Sequence, residues 1–158
     1  MSLGGSEYLW TLHGRLAGTL APLDLGLERR VQAAVQAAVS AGLLTAAHDC
    51  AEGGLAVALA ESCVSGRERV GCEVGLAAGT RADLTLFGEG PSRVVVAVEP
   101  GREREFEGLM AESDIPWRWI GVTGGDRLLI RLGATPAIGL ALDDVEHTWR
   151  SGLERHVA

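Results

Sequence analysis

The sequence predicts an α/β protein of the α+β kind, with a mixed β-sheet flanked by helices. Three observations predict it. Helix-period stretches such as "VQAAVQAAV" are interspersed with β-branched runs such as "SRVVVAVEP". "PWRWIGVT" and "DRLLIRL" alternate apolar and polar residues on either side of "GGD", the pattern of an antiparallel hairpin. A chain of 158 residues, 47% hydrophobic and 22% charged, can bury one sizeable core.

Each element has its own signal. "GGSEYLWTLHG" predicts a short helix starting near Ser6, with Glu7 in the first turn where the helix dipole favours an anion. From Leu27 to Ala41 the period is helical: Leu27, Val31, Ala34, Val35, Ala38 and Val39 share a face, and Gly42 supplies the stop. "LLTAAHD" reads as a short buried strand, followed by a helix from about Gly53 to Val64. "VGCEVGL" alternates as a strand, and "RADLTLF" reads as a short helix. "SRVVVAVEP" is the strongest strand, closed by Pro100, and "REREFEGLMAES" an amphipathic helix with Phe106, Leu109 and Met110 on its apolar face. After the hairpin, "AIGLAL" gives another strand, and Asp143 or Asp144 caps a last helix through Val145, Trp149 and Leu153. Residues 1–3 read as added during cloning, although Leu3 reads equally well as native, and residues 4–158 read as one domain without linker or repeat.

The composition excludes several function classes. A net charge of −7 argues against nucleic acid as a partner. No apolar stretch approaches the length of a membrane span and none has the make-up of a signal peptide, so the cytoplasm is the expected location. All 14 cationic residues are arginine; without lysine the chain forms no Schiff base. Cys50, Cys63 and Cys72 are odd in number and lack Cys-x-x-Cys spacing, so reduced, buried thiols are expected rather than a zinc site or a disulfide framework. Cys50 and Cys63 would bracket one helix roughly 20 Å apart.

Two stretches are candidate sites. In "HDCAEGGLAVALAES", Gly53 and Gly54 at a helix start would let an anion reach exposed N–H groups, and Asp49 would be a magnesium ligand beside a phosphate. The same residues also suit a purely structural role. Asp49-x-x-Glu52 has capping-box spacing, and paired glycines permit close packing. His48 has acid–base chemistry but no partner assignable from spacing, and His13, His147 and His156 show no metal-ligand spacing. In "LFGEGPSRVVV", Glu89, Ser92 and Arg93 would lie at a rim where Arg93 could grip a phosphate. The alternative is a turn set by Gly90 and Pro91, with Arg93 paired to a surface carboxylate. "GVTGGDRLLI" lacks the spacing of a phosphate loop and reads as a hairpin turn.

Together "GGSEYL", "AHDCAEGGLAVALAES", "LFGEGPSRVVV" and "IGVTGGDRLLI" occur in the order and spacing of one family. The chain resembles the last domain of the large synthetase subunit of phosphoribosylformylglycinamidine synthases. "GGSEYL" points to these enzymes over their relatives, the aminoimidazole ribonucleotide synthetases, selenophosphate synthetases and thiamine-phosphate kinases. The resemblance implies the fold of the aminoimidazole ribonucleotide synthetase C-terminal domain. It also implies a purine-synthesis ligase that uses ATP and Mg2+ to activate an amide oxygen, which ammonia from glutamine then displaces. The implied partners are the preceding domains of the same subunit, a glutaminase subunit and a small accessory subunit, with a homodimer open to the isolated domain.

The resemblance carries a magnesium-binding aspartate onto Asp49 and phosphate-holding positions onto Glu89, Gly90 and Pro91. Gly90 stands where a serine is usual, and Pro91 removes a backbone donor. It also implies that the catalytic histidine lies in domains outside this chain. No catalytic residue, complete site or required cofactor is therefore expected here. The candidate set is Gly53, Gly54, Glu89, Ser92 and Arg93 for substrate or phosphate and Asp49 for metal. The alternatives are a free-standing nucleotide- or phosphate-binding module and a domain of one of the related ATP-dependent enzymes.

Overall fold

The computed structural model describes residues 1–78 and 81–152. The elements in order are α1 (Glu7–His13), α2 (Leu25–Ser40), β1 (Leu44–Asp49), α3 (Gly54–Val64), β2 (Cys72–Leu76), α4 (Ala82–Phe87), β3 (Val94–Val98), α5 (Glu103–Glu112), β4 (Gly121–Thr123), β5 (Arg127–Leu132), β6 (Thr135–Ala141) and α6 (Leu142–Ser151). They fall into two compact units, one of Met1–Ala58 with Asp83–Trp119 and one of Leu59–Ala82 with Ile120–Ala158. The division runs through α3, whose Leu55, Ala56, Ala58, Leu59, Cys63 and Val64 are all buried. A helix so apolar around its circumference is a core helix.

In the first unit β1 and β3 form a two-stranded antiparallel sheet, with Ala47 opposite Val96 and Asp49 opposite Val94; β1, expected to be buried, is instead exposed at Thr45, Ala46, Ala47 and Asp49. Ala34 and Ala38 of α2, Leu43, and Phe106 and Met110 of α5 make its core, with Leu44, Val96, Val98, Leu109 and Ile115 packed on it. Small residues on α2 let the helix come close, and the large side chains of α5 fill the remaining space. Asp24 caps α2, accepting from the Gly26 and Leu27 N–H groups at 2.8 and 3.0 Å, so the helix starts at Leu25, two residues before the predicted Leu27. The expected apolar face holds at Val31, Ala34 and Ala38 but not at Val39, which is 56% exposed. α1 starts next to Ser6 as expected, with the Ser6 side chain as its cap, and Tyr8 stacks on Phe87 with ring centroids 5.0 Å apart.

In the second unit the mixed sheet has the order β4-β2-β5-β6. β2 pairs parallel with β5 and antiparallel with β4, and β5 pairs antiparallel with β6. Cys72, Val74 and Leu76 line the buried face of β2 beside Leu128 and Ile130 of β5.

Three expectations are corrected. The "PWRWIGVT" and "DRLLIRL" segments do not pair as a hairpin, because β2 inserts between β4 and β5. The "GGD" turn instead wraps the start of β2: Gly124 N–H donates to Gly71 O at 2.7 Å and Gly71 N–H to Gly125 O at 3.0 Å. Glycine at 71 is needed for this, since a Cβ there would collide with the Arg127 backbone. The strand is also shorter than its alternation suggests, beginning only at Gly121. Trp117 and Trp119 before it pack edge-on or tilted against Phe106, with centroids 5.9 and 5.7 Å away.

The third correction concerns the last helix, whose N-cap is Ala141 with no side-chain cap bond. Asp143 is held by Arg69 at 2.6 Å, and Leu142 N–H donates to Asp126 O at 3.0 Å. Leu153, expected on that helix, lies outside the described residues.

Candidate functional site

The two candidate stretches meet within the first unit. β1 ends at Asp49, and two left-handed glycines, Gly53 (φ +76°) and Gly54 (φ +67°), turn the chain into α3. No L-residue adopts two such conformations in succession cheaply. Gly54 also sits against the loop after α4: a Cβ there would stand 2.8 Å from Phe87 C and 2.9 Å from Gly88 O. The glycine pair therefore serves close backbone packing as well as the turn.

The anion at this turn is the chain's own. Glu89 Oε1 accepts from Gly53 N–H at 2.9 Å and from Glu7 N–H, the first residue of α1, also at 2.9 Å. One carboxylate oxygen thus occupies the position predicted for a phosphate, where both helix starts favour negative charge. Glu89 is held there by a two-way bridge to Ser2, N–H to O at 2.8 Å in each direction. Residues 1–3, whatever their origin, are therefore part of the packing, and Leu3 is buried.

The remaining candidates also have partners within the chain. Ser92, at φ +60°, donates its hydroxyl to Glu28 Oε2 at 2.6 Å. That bond, then one from the Gln32 amide, holds the Glu28 carboxyl below its usual pKa. Arg93 donates to Gly88 O at 2.8 Å, a backbone partner rather than the surface carboxylate considered from sequence. Asp49 is the outward member, its side chain 72% exposed and its Oδ1 3.7 Å from His48 Nδ1. The Asp49-x-x-Glu52 capping box is not what satisfies the helix start: Gly53 N–H goes to Glu89 and Gly54 N–H to Ala51 O at 3.2 Å.

Among the described residues no group of three or more His, Cys, Asp or Glu side chains could hold a metal ion. Magnesium keeps several waters and takes one or two carboxylates together with phosphate oxygens. Asp49 supplies a single carboxylate, and Glu89 would repel a phosphate at Gly53. The residues present do not by themselves fit a magnesium–nucleotide site.

Sequence reasoning missed Glu28 and the Glu7 N–H group. Glu28 lies 64 residues from Ser92, and nothing in local spacing links them. The three cysteines are free and buried, as expected, but Cys63 and Cys72 also approach each other, Sγ to Sγ at 3.7 Å.

Residues 2–131 match the family described as AIR synthase related protein, C-terminal domain. The phosphoribosylformylglycinamidine synthase subunit PurL of Thermomicrobium roseum is 46% identical over 154 residues, covering 96% of this chain and 20% of the relative. That of Moorella thermoacetica is 45% identical over 151 residues, with the same two coverages. The chain thus spans about a fifth of the length of the curated relatives it matches. Among solved structures, T. maritima PurL complexed with ATP superposes with a TM-score of 0.68 at 14% identity, covering 92% of this chain and 24% of that one. T. maritima PurL complexed with FGAR gives 0.63 at 17% identity, over 75% of this chain and 21% of that one. At such identities the structural likeness speaks for the fold alone. With the family match running through most of its length, the chain belongs to the AIR synthase related protein, C-terminal domain, family.

Proposed function

We propose that this chain is the C-terminal-type domain of the large synthetase subunit of a phosphoribosylformylglycinamidine synthase, and that its role there is to complete and support the subunit rather than to carry the reaction. The observation that carries this reading is the 46% identity, maintained over nearly the whole chain, to relatives of that name that are about five times as long. In such an enzyme ATP and Mg2+ activate the amide oxygen of formylglycinamide ribonucleotide. Ammonia released from glutamine by a glutaminase subunit then displaces the phosphate, in a cytoplasmic complex that includes a small accessory subunit. Phosphoryl transfer of this kind depends on positioned donors and cations around the moving charge.

The self-satisfied network supports the supporting role. Gly53 N–H and Ser92, which could hold a phosphate, are engaged by Glu89 and Glu28, and Arg93 is anchored to Gly88 O through one guanidinium nitrogen. Asp49 would bind magnesium only together with phosphate oxygens and other ligands brought by other domains.

The test is a chimera in which this chain replaces the matching fifth of the Thermomicrobium roseum subunit. With formylglycinamide ribonucleotide, ATP, Mg2+ and ammonia, the chimera should form the amidine, whereas this chain alone should not. A folded chimera without turnover contradicts the assignment.

A further inference from the structure

The stretch from Trp10 to Leu25 exposes large apolar side chains to an extent that single surface leucines do not explain. Trp10 is 53% exposed, Leu12 64%, Leu16 74%, Leu20 73%, Leu23 57% and Leu25 67%. Isolated exposed apolar residues are ordinary, but a run of them marks an interaction surface.

The backbone that presents them is fixed. Gly5 N–H donates to Ala17 O at 3.0 Å, and Ser2 Oγ donates to Thr19 O at 2.7 Å. Gly4 lies so close to Gly18 and Thr19 that a Cβ would strike their backbone atoms. The loop that carries Leu16 and Leu20 is therefore braced against residues 2–5 at Ala17, Gly18 and Thr19.

We propose that this leucine-rich strip is the surface on which another domain of the same polypeptide packs. The inference rests on the reading of the chain as one domain of a longer synthetase subunit. Two observations select this occupant. The curated relatives carry about four-fifths of their length beyond the region this chain matches. The strip itself holds few charges (Arg15 and Asp24), whereas the chain carries −7 overall, so a second copy would meet it against net repulsion.

Hydroxyl-radical footprinting tests the proposal, with the chain alone at several concentrations and within the full-length Thermomicrobium roseum chimera. Trp10, Leu16 and Leu20 should oxidise readily in the chain alone and be protected several-fold in the chimera. Val122, 71% exposed in the second unit, serves as the internal reference. The variant Leu16→Ser with Leu20→Ser should lower the melting temperature of the chimera while leaving that of the chain alone unchanged.

Equal oxidation in a chimera that still forms the amidine overturns the docking surface and leaves the domain assignment intact. Protection that appears in the chain alone as concentration rises assigns the strip to a second copy and overturns the proposal. Absence of both turnover and protection overturns the two readings together. A double variant that destabilises the chain alone as much as the chimera shows the leucines to be part of the domain's own fold, which also overturns it.

Discussion

One oxygen of Glu89 lies 2.9 Å from the backbone nitrogen of Gly53, 36 residues earlier in the chain, and accepts its hydrogen bond. The same oxygen accepts from Glu7 N–H. The carboxylate ties together the starts of α1 and α3, and its partners are charge-assisted bonds of the stronger kind. Replacing Glu89 by Ala should cost about 1–3 kcal/mol, because two donors lose an ionised acceptor. Glu89→Gln, which keeps a carbonyl acceptor without the charge, should cost less. Urea melts of the two variants check the order.

Gly54→Ala should be far more damaging than Gly14→Ala. Both glycines have φ near +60° to +67°, so each substitution carries the left-handed penalty of about 1 kcal/mol. At Gly14 an added Cβ meets nothing within 4 Å, whereas at Gly54 it meets the backbone of Leu86, Phe87 and Gly88 at 2.8–3.0 Å. The Gly54 variant should lose about 2–4 kcal/mol or fail to fold, and the Gly14 variant should stay near 1 kcal/mol. Thermal unfolding of both reads the difference.

Local features were legible in the sequence where one chain segment decides them. The helix start near Ser6, the Val31–Ala34–Ala38 face, the β-branched strand at Val94–Val98 and the Gly53–Gly54 turn all follow from residues close in sequence. The pairing of strands did not follow. Nothing in "GVTGGDRLLI" announces that β2, nearly fifty residues earlier, lies between its two strands. Non-local pairing is fixed by which apolar faces fit, and Val74 beside Ile130 is visible only once the sheet exists.

The partners of the candidate residues were not legible in the sequence. Gly53, Gly54, Glu89, Ser92 and Arg93 lie within one unit, yet the resemblance offered Glu89 as a phosphate holder. The structure has it fill an anion position itself. A carboxylate has the charge of the ligand it would replace, and that ambiguity cannot be resolved without geometry.

Acid should destabilise the chain through Asp24 and Glu28. The N–H groups of Leu27 and Gly26 hold the Asp24 carboxyl below its usual pKa, and Ser92 followed by Gln32 does the same for Glu28. Because both folded values lie below the unfolded ones, the stabilisation is complete above the unfolded values and is lost as pH falls through the folded ones. The melting temperature should therefore fall as pH drops below about 4. In the Asp24→Asn, Glu28→Gln double variant that acid-induced fall should be shallower, which calorimetry across the range can measure.

The thiols should be protected but reduced. Cys50 is pushed up by burial, partly opposed by the Arg93 charge, and Cys72 is pushed up by its contact with Cys63 and by burial; Cys63 moves the other way, lowered by its contact with Cys72, and is shielded by its burial alone. A raised thiol has little thiolate at neutral pH, and the thiolate is the reactive form. Native chain should react slowly with a disulfide reagent at pH 8, and unfolded chain should release all three thiols at once. Rapid reaction of Cys72 in the folded state would contradict the buried pairing.

The central claim, that this domain supports a site completed elsewhere, is tested most directly by the melting temperature of the chain alone in rising Mg-ATP. Any ligand that binds the folded state must raise that temperature by mass action. The account predicts no shift, because Glu89 fills the anion position at Gly53 and Asp49 stands as a single carboxylate. A magnesium-dependent rise that disappears in Asp49→Ala would contradict it and make the chain a nucleotide-binding module in its own right.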